Sequence, residues 1–234
     1  MCTTSHERRL VEKLTISVII PAKNEEDSIG IVVSETRRVL GENAEIIVVD
    51  GHSVDNTVKA ALEADRKTIV IRQIGRGKGA GLKTAFKHST GATIVIIDAD
   101  FTYDPVEMLT LVKPIISGEA DFVLGSRFMG EMQKGAMTPI HSLANKMISL
   151  LVSLFCRKRI TDVLSGFRAM KRSIIDSISF ESDGFDIETE MTMKIVKRRF
   201  RTLEVPIKYR RRLGKSKLSN LRDGVTIFKR VLLP

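Results

Sequence analysis

The sequence predicts an α/β protein with a mainly parallel sheet, helices on both faces of that sheet and a basic C-terminal region, within a single domain. Three observations lead to this fold class. Short apolar, β-branched runs recur through the first half of the chain, and segments with helical spacing separate them. A length of 234 residues with 43% hydrophobic residues is enough to bury one large core. Strands that alternate with helices pack as a parallel sheet between two helical layers.

Five runs are predicted as strands: residues 16–20, 45–49, 68–71, 93–97 and 121–124. Each run is short and apolar without alternation, which is typical of strands buried on both faces. The helices between them are predicted to begin near Asp27, Val54, Lys78 and Pro105. The alternation stops after Arg127.

Polar residues follow four of these strands at the point where each strand ends. The stretches are PAKNEE from Pro21, DGHS from Asp50, GRGKG from Gly75 and DAD from Asp98. Ligands of open parallel sheets lie beyond the carboxyl ends of the strands, so these side chains are expected to converge on one crevice. Asp98 and Asp100 place like charges at such an end, and a divalent cation, Mg²⁺ or Mn²⁺, is the candidate that neutralises them.

Two other strand-end residues have two interpretations each. Asp50 could accept hydrogen bonds from a ribose or a base, or it could cap the helix that follows. Arg127 could pair with a phosphate, or it could neutralise Asp98 and Asp100.

The glycine run GRGKGAGLKTAF, residues 75–86, satisfies the spacing G-x-G-x-x-A. It is not the dinucleotide fingerprint, because that motif occupies the first strand-helix turn, where this chain has PAKNEE. It is not a P-loop either, since Leu82 stands before Lys83 where the P-loop requires glycine. A cationic loop able to approach a phosphate and a plain tight turn remain as interpretations.

The formal net charge of +10 is unevenly placed. Residues 194–234 hold 14 Lys and Arg against 2 Asp and Glu, a net +12, which leaves −2 for the rest of the chain. Such a block attracts polyphosphates, nucleic acid or an anionic membrane surface, or it is a solvated face without a partner.

The apolar stretches and the cysteines indicate in which cellular compartment the protein is expected. The apolar stretches fall short of the roughly 18 to 20 residues of a membrane-spanning helix, and MCTTSHERRL lacks the apolar core of a signal peptide. Cys2 and Cys156 have neither metal spacing nor a redox partner. We therefore expect a cytosolic protein without a disulfide framework or a zinc site.

One apolar helix is predicted over residues 144–156, followed directly by Arg157, Lys158 and Arg159. It is either a core helix or a helix that lies in a membrane interface with its cations at the lipid headgroups.

Eight motifs occur in this order: VIIPAKNEE, VVDGHSVDNT, GRGKGAGLKTAF, IDADFTYDP, GSRF, TDVLSGFRAMKR, GFDIETEM and VPIKYRRRLGKSKLS. They resemble those of the family 2 glycosyltransferases, which have the Rossmann-like GT-A fold, and within them the polyprenyl-phosphate glycosyltransferases such as the dolichyl-phosphate mannose synthases. The resemblance runs from about Leu14 to Asn220. It implies an N-terminal extension over residues 1–13, a GT-A domain over 14–213, and a basic C-terminal loop with an interfacial helix over 214–234.

The resemblance also implies roles for particular residues. Contacts to the nucleotide sugar fall on Pro21, Lys23, Glu25, Asp50, Asp98, Ala99, Asp100, Arg127, Arg211 and Lys217. Asp98 and Asp100 would hold the divalent metal on the diphosphate, and with Arg127 they are the candidate catalytic residues. Arg211 and Lys217 would lie on a loop that closes over the diphosphate.

Two positions depart from the family pattern. Thr102 stands where the mannose synthases have a glutamine that reaches the metal. The second strand ends in DGHS rather than Asp-Asp-Gly-Ser, which leaves the base, uracil or guanine, open.

The implied reaction is inverting transfer of a hexose from a UDP- or GDP-sugar to a polyprenyl (dolichyl) phosphate, at the cytosolic face of an anionic membrane. A phosphate acceptor, with a second pKa near roughly 6, is already an anionic nucleophile, whereas a hydroxyl must lose a proton during attack. GFDIETE lies where hydroxyl-directed relatives place a catalytic carboxylate. Charge at a helix N-terminus is the other interpretation of its acids; we favour it for Glu190, while Asp186 and the similar Asp162 stay open.

Two other functions are compatible with the sequence. A glycosyltransferase with a soluble hydroxyl acceptor would use Asp186 as its base. A nucleic-acid-binding module would use the basic tail, but no nucleic acid is expected as a partner, since few aromatic residues interleave the cations and no recognition motif occurs.

Overall fold

Seven strands form one sheet within the residues that the computed structural model describes, 15–214 and 220–232. The strands are β1 (Ile16–Ala22), β2 (Glu45–Asp50), β3 (Ile69–Arg72), β4 (Thr93–Ile96), β5 (Phe122–Ser126), β6 (Arg168–Lys171) and β7 (Thr202–Pro206). The α-helices are α1 (Ile29–Leu40), α2 (Thr57–Ala64), α3 (Lys78–His88), α4 (Met108–Ile116), α5 (Pro139–Cys156), α6 (Arg172–Ser177), α7 (Ile187–Lys197) and α8 (Asn220–Leu232). A 3₁₀ turn at Pro105–Glu107 precedes α4. The predicted N-terminal extension, residues 1–13, lies outside the described residues.

The alternation of strand and helix is confirmed as far as β5. Every residue of β4 and β5 is buried, as expected of apolar runs covered on both faces. β3 lies one residue later than predicted, at the edge of the sheet, where Ile69 is 42% exposed.

The strand order is β3-β2-β1-β4-β6-β5-β7. β6 is antiparallel to both of its neighbours, β4 and β5, and the other pairs are parallel. Six of the seven strands therefore point the same way, which confirms a mainly parallel sheet. Neither β6 nor β7 is among the predicted strands, because RAMK and TLEVP are short and carry charge.

Helices cover both faces of the sheet, as predicted. α1, α2 and α4 contribute to the core on one face, together with Val18 and Val48. The other five helices contribute to the core on the opposite face, together with Ile19 and Ile47. Neighbouring residues of β1 and β2 enter different cores because successive side chains of a strand point to opposite faces.

α5 differs from its prediction in length and in exposure. It begins at Pro139 rather than at 144, and its 18 residues are long and apolar enough to cross a membrane by length and composition. This corrects the expectation that no apolar stretch reaches that length. Only Ser149 and Val152 within α5 are buried, so the core-helix interpretation is wrong.

Five exposed apolar residues of α5 form one stripe along the helix. The apolar stripe comprises Ile140, Leu143, Met147, Leu150 and Leu154, each at least 56% exposed. Their spacing of three and four residues places them on the same helical face.

The glycine run is a packing surface rather than an open loop. Gly77 has a φ of +100°, Gly79 lies in the first turn of α3, and a Cβ at either would overlap the backbone of residues 182–184. The N–H groups of Gly79 and Ala80 donate to carbonyls of that segment at 3.2 and 3.1 Å. Protein backbone therefore closes the N-terminus of α3, which the sequence left open to a phosphate.

Gly79→Ala is expected to lower the free energy of unfolding by about 1–3 kcal/mol, because the new methyl group must displace backbone. Gly30→Ala is the matched control: Gly30 lies inside α1, and its Cβ would meet no atom closer than 3.5 Å. The control is expected to leave the free energy unchanged or raise it by up to about 1 kcal/mol. Urea denaturation measures both, and equal effects would contradict the packing described here.

Candidate functional site

Four strand ends bring charged side chains to one edge of the sheet. The residues are Glu25 after β1, Asp50 in β2, Asp98 and Asp100 after β4, and Arg127 after β5. These strands are parallel, so their carboxyl ends share this edge. β6 runs the opposite way, and the residues just before it, including Gly166, therefore arrive at the same edge. We call the space among these residues the crevice.

Asp100 is buried and bonded on both oxygens. Oδ1 accepts the backbone N–H and the hydroxyl of Thr102 at 3.1 and 2.6 Å. Oδ2 lies 2.9 Å from Nη1 of Arg212, and Nη2 of the same guanidinium pairs with Glu25. The N–H of Leu213 donates to the carbonyl of Asp100 at 3.2 Å. Arg212 thus links the acids that follow β1 and β4, and it holds its own loop across the crevice.

Asp98 pairs with a different cation, the ammonium group of Lys78. Its Oδ1 lies 2.5 Å from Nζ of Lys78, the first residue of α3. The same Nζ lies 2.6 Å from Oε1 of Glu188 in α7. Gly166 leaves room for the Asp98 carboxylate, because a Cβ there would overlap it. The negative charges of Asp98 and Glu188 hold the pKa of Lys78 above its ordinary value, although burial alone would lower that pKa.

The two aspartates fit a divalent cation. Burial raises the pKa of Asp100, the charge of Asp98 raises it further, and Arg212 opposes both. Mg²⁺ and Mn²⁺ bind to proteins through one or two carboxylates, and oxygens of substrate phosphates complete their coordination. Across residues 15–214 and 220–232, no group of three or more His, Cys, Asp and Glu is arranged to hold a metal ion. Asp98 and Asp100 would supply only part of the octahedral coordination sphere that Mg²⁺ requires.

Asp50 orders the turn that follows β2. Its two carboxylate oxygens accept the N–H of Ser53 at 3.1 and 3.3 Å, and its side chain is buried. Helix α2 begins only at Thr57, so Asp50 does not cap that helix, which was one of its two interpretations.

Arg127 forms a buried ion pair with Asp162. Its Nε and Nη2 donate to the two carboxylate oxygens at 2.7 Å each, and its backbone N–H donates to Oδ2 at 2.9 Å. Burial disfavours the charged guanidinium, but Asp162 outweighs it and holds the pKa of Arg127 well above its ordinary value. Arg127 therefore compensates Asp162 rather than Asp98 and Asp100.

The other predicted site residues lie at or near the crevice edge with different exposure. Ala99 is buried between the two aspartates, and Pro21 is half-buried in β1. Lys23 and Arg211 are exposed. Lys217 lies outside the described residues.

Asp186 is bonded within the protein. Its Oδ2 accepts the hydroxyl of Ser182 at 2.6 Å and lies 3.2 Å from Nε of Arg230 in α8. Asp186 precedes the first residue of α7, yet its side chain makes no capping hydrogen bond there.

Glu190 has a structural role. Its carboxylate accepts the N–H groups of Glu181 and Ser182 at 2.8 and 2.7 Å and pairs with Lys194 at 2.7 Å. Burial would raise its pKa, but the bonds from Lys194 and the two N–H groups lower the pKa to about 2.

Lys78, Arg212 and Glu188 are not among the predicted site residues. Lys78 stands inside the glycine run, whose spacing draws attention to its glycines. Arg212 follows Arg211 in a run of three arginines, and only the register of the loop decides which one reaches the acids. Glu188 lies in GFDIETE, and nothing in that segment indicates that its partner is Lys78.

Comparison with known proteins agrees with this geometry. A family model described as Glycosyl transferase family 2 matches residues 17–179. Glycosyltransferase AglJ of Haloferax volcanii is 34% identical over 216 residues, covering 91% of this chain and 69% of that protein. A dolichyl-phosphate hexose transferase of the same organism is 29% identical over 219 residues, covering 93% and 92%. Across six such relatives, the chain spans between 36% and 92% of the relative's length.

A solved structure has the same fold. Glucosyl-3-phosphoglycerate synthase from Mycobacterium tuberculosis, in complex with Mn²⁺, uridine diphosphate and phosphoglyceric acid, superimposes with a TM-score of 0.79. The sequence identity is 22%, and the match covers 100% of this chain and 82% of that one.

Asp162→Asn is expected to lower the free energy of unfolding by about 3–5 kcal/mol, because it leaves the Arg127 guanidinium buried without its counter-charge. Asp176→Asn is the matched control, since Asp176 is exposed and pairs with Arg172 at 3.8 Å. The control is expected to change the free energy by less than about 1 kcal/mol. Urea denaturation compares the two, and a small effect of Asp162→Asn would contradict a compensating role for this carboxylate.

Proposed function

Because the chain belongs to glycosyl transferase family 2, we propose that it transfers a hexose from a UDP- or GDP-sugar to a polyprenyl (dolichyl) phosphate at the cytosolic face of a membrane. The observation that carries the proposal is the pair of aspartates after β4, where each carboxylate is held by a cation from another part of the chain. A crevice with fixed charges of both signs suits a donor that brings a diphosphate and its metal ion.

The nucleotide sugar is proposed to bind across the ends of β1, β2 and β4. Pro21, Lys23, Glu25, Asp50 and Ala99 are the proposed contacts to base and ribose, and their position at the carboxyl edge of the sheet supports this. The fold neighbour from Mycobacterium tuberculosis contains uridine diphosphate and Mn²⁺. That finding is consistent with a nucleotide and a divalent cation in this fold.

Asp98 and Asp100 are proposed to hold Mg²⁺ or Mn²⁺. When bound, the cation neutralises charge that develops on the nucleoside diphosphate as it leaves. Arg212 lies on the loop across the crevice, and Arg211 is next to it in the chain. These two arginines and Lys217 are the proposed cationic contacts to the phosphates. Arg127 is a further proposed contact to a phosphate; its guanidinium also bonds Asp162 and Tyr209.

The acceptor is proposed to be a phosphate monoester. An oxygen of the acceptor phosphate forms a bond to the anomeric carbon while the bond from that carbon to the donor diphosphate breaks, and the bonding electrons leave with the nucleoside diphosphate. No proton needs to be removed from such an acceptor near neutral pH. The bonds of Asp186 to Ser182 and Arg230 support this choice over a hydroxyl acceptor, which would need a free carboxylate base.

The membrane is proposed to meet the apolar stripe of α5. From Pro139 to Thr161 the chain has no Asp or Glu, and Arg157, Lys158 and Arg159 follow the helix directly. Apolar side chains flanked by cations suit the boundary between acyl chains and anionic headgroups. The name of one relative, dolichyl-phosphate hexose transferase, also supports a lipid acceptor.

Transfer of radiolabelled hexose from a panel of UDP- and GDP-sugars to polyprenyl phosphate is expected only when Mg²⁺ or Mn²⁺ is present. Asp100→Asn is expected to lower turnover by about a hundredfold or more, because the variant loses a charged ligand for the cation. Asp176→Asn, in α6 after the strand end of β6 that lies opposite the crevice, is expected to keep wild-type turnover.

Three outcomes would contradict parts of the proposal. Full activity of Asp100→Asn, or activity that a chelator leaves intact, removes the metal from the reaction. Donor hydrolysis without a lipid product points to a hydroxyl acceptor, and Asp186 is then the residue to substitute.

Leu143→Glu combined with Leu150→Glu is expected to abolish sedimentation of the protein with phosphatidylcholine and phosphatidylglycerol vesicles, because the apolar stripe would then carry charge. Ile31→Glu combined with Leu62→Glu is the matched control on exposed positions of α1 and α2. The control is expected to sediment like the wild type. Loss of vesicle binding in both variants, or in neither, would contradict docking through α5.

A further inference from the structure

Two sequence motifs that the proposed reaction does not use meet beside the crevice. They are the glycine run at the start of α3 and the segment 182–190 that leads into α7. Besides the backbone hydrogen bonds between them, Lys83 Nζ donates to the carbonyl of Glu181 at 2.9 Å and pairs with Asp183 at 2.7 Å. These contacts fix the first turn of α3 against the start of α7.

The packing brings Lys78 between two carboxylates. Its Nζ lies 2.5 Å from Oδ1 of Asp98 and 2.6 Å from Oε1 of Glu188. The side chains of Lys78 and Glu188 are only 11% and 6% exposed, so little water screens the three charges. One ammonium group therefore joins an acid of the crevice to an acid of α7.

The two carboxylates are close enough to share a metal ion. Both oxygens lie against one nitrogen, which places them at most about 5 Å apart, and Mg²⁺ takes oxygen ligands at about 2.1 Å. A divalent ion in place of the ammonium would need only small movements of the side chains. Lys78 thus fills, with its own charge, a position that the acid pair would otherwise offer to a cation.

We propose that Lys78 is a positioning residue that keeps Asp98 and Glu188 from binding a divalent cation by themselves, so that cation binding depends on the donor diphosphate. The inference rests on the proposed function, because it concerns the cation of the same site. While Lys78 neutralises Glu188, the cation can bind Asp98 and Asp100. The donor phosphates then supply the remaining ligands of the cation. A cation held in this way can leave together with the nucleoside diphosphate after transfer.

Mn²⁺ binding without any nucleotide tests this role of Lys78. Free Mn²⁺ is measured by electron paramagnetic resonance while the purified protein is titrated. Lys78→Met is expected to bind Mn²⁺ about tenfold more tightly than the wild type, or tighter still, because one positive charge has left a poorly screened position. The double variant Lys78→Met, Glu188→Gln is expected to lose this gain, since one of the two flanking acids is gone.

Two controls separate charge from structure. Lys78→Arg keeps the positive charge and is expected to bind Mn²⁺ like the wild type. Lys83→Met removes a lysine from the same helix that pairs with Asp183, and it is also expected to leave Mn²⁺ binding unchanged. Circular dichroism and thermal melting establish that each variant is folded.

Addition of UDP or GDP completes the test. Nucleotide is expected to raise the Mn²⁺ affinity of the wild type and to change that of Lys78→Met much less. The proposal is overturned if Lys78→Met binds Mn²⁺ without nucleotide as weakly as the wild type, or if Lys78→Arg gains as much. A wild-type affinity that responds to neither nucleotide counts against the proposed function, while the variants without nucleotide still decide the role of Lys78.

Discussion

The arrangement of the crevice depends on one electrostatic constraint. Asp98 and Asp100 place two negative charges after a fully buried strand, and unpaired charges in such surroundings are costly. The chain meets the constraint twice, with Lys78 from 20 residues upstream of Asp98 and with Arg212 from the loop after β7. Each cation also bonds a second acid, so two ion-pair clusters form: Lys78 joins the end of β4 to the starts of α3 and α7, and Arg212 joins the ends of β1 and β4.

The antiparallel strand β6 connects these ion-pair clusters to the rest of the fold. Because β6 enters the sheet from the crevice edge, the loop before it lies against Asp98 and carries Asp162, the counter-charge of Arg127. The fully buried Arg168 begins the strand, and its guanidinium donates to the carbonyls of Val163, Ser165 and Glu188. A buried cation that bonds three backbone carbonyls ties this loop to α7 without using any of the acids. Burial lowers the pKa of Arg168 from its ordinary value.

Local patterns made part of this structure predictable. The strands as far as β5, the helices between them and the acids after β4 follow from apolar runs and from the residues that end them. β6 was not predictable, since two of its four residues are charged and its position is set by β4 and β5 on either side. The partnership of Lys78 with Glu188 spans 110 residues, and no local signal marks a pairing at such a separation. For α5 the composition was visible in the sequence, but its exposure depends on whether another layer covers it.

The position of β6 also sets the order in which the chain can assemble during synthesis. β4 can pair with its second neighbour, β6, only after about 75 further residues have been made. Their synthesis takes about 4 to 15 s at ribosomal rates of about 5–20 residues per second. β5 is made earlier than β6 but pairs only with β6 and β7, so it has no place in the sheet during that time. The nascent sheet β3-β2-β1-β4 meanwhile presents the apolar edge TIVI, with its unpaired backbone groups, to other chains. Until β6 is made, this edge is where aggregation of the new chain is expected to begin and where a chaperone for extended apolar segments would bind.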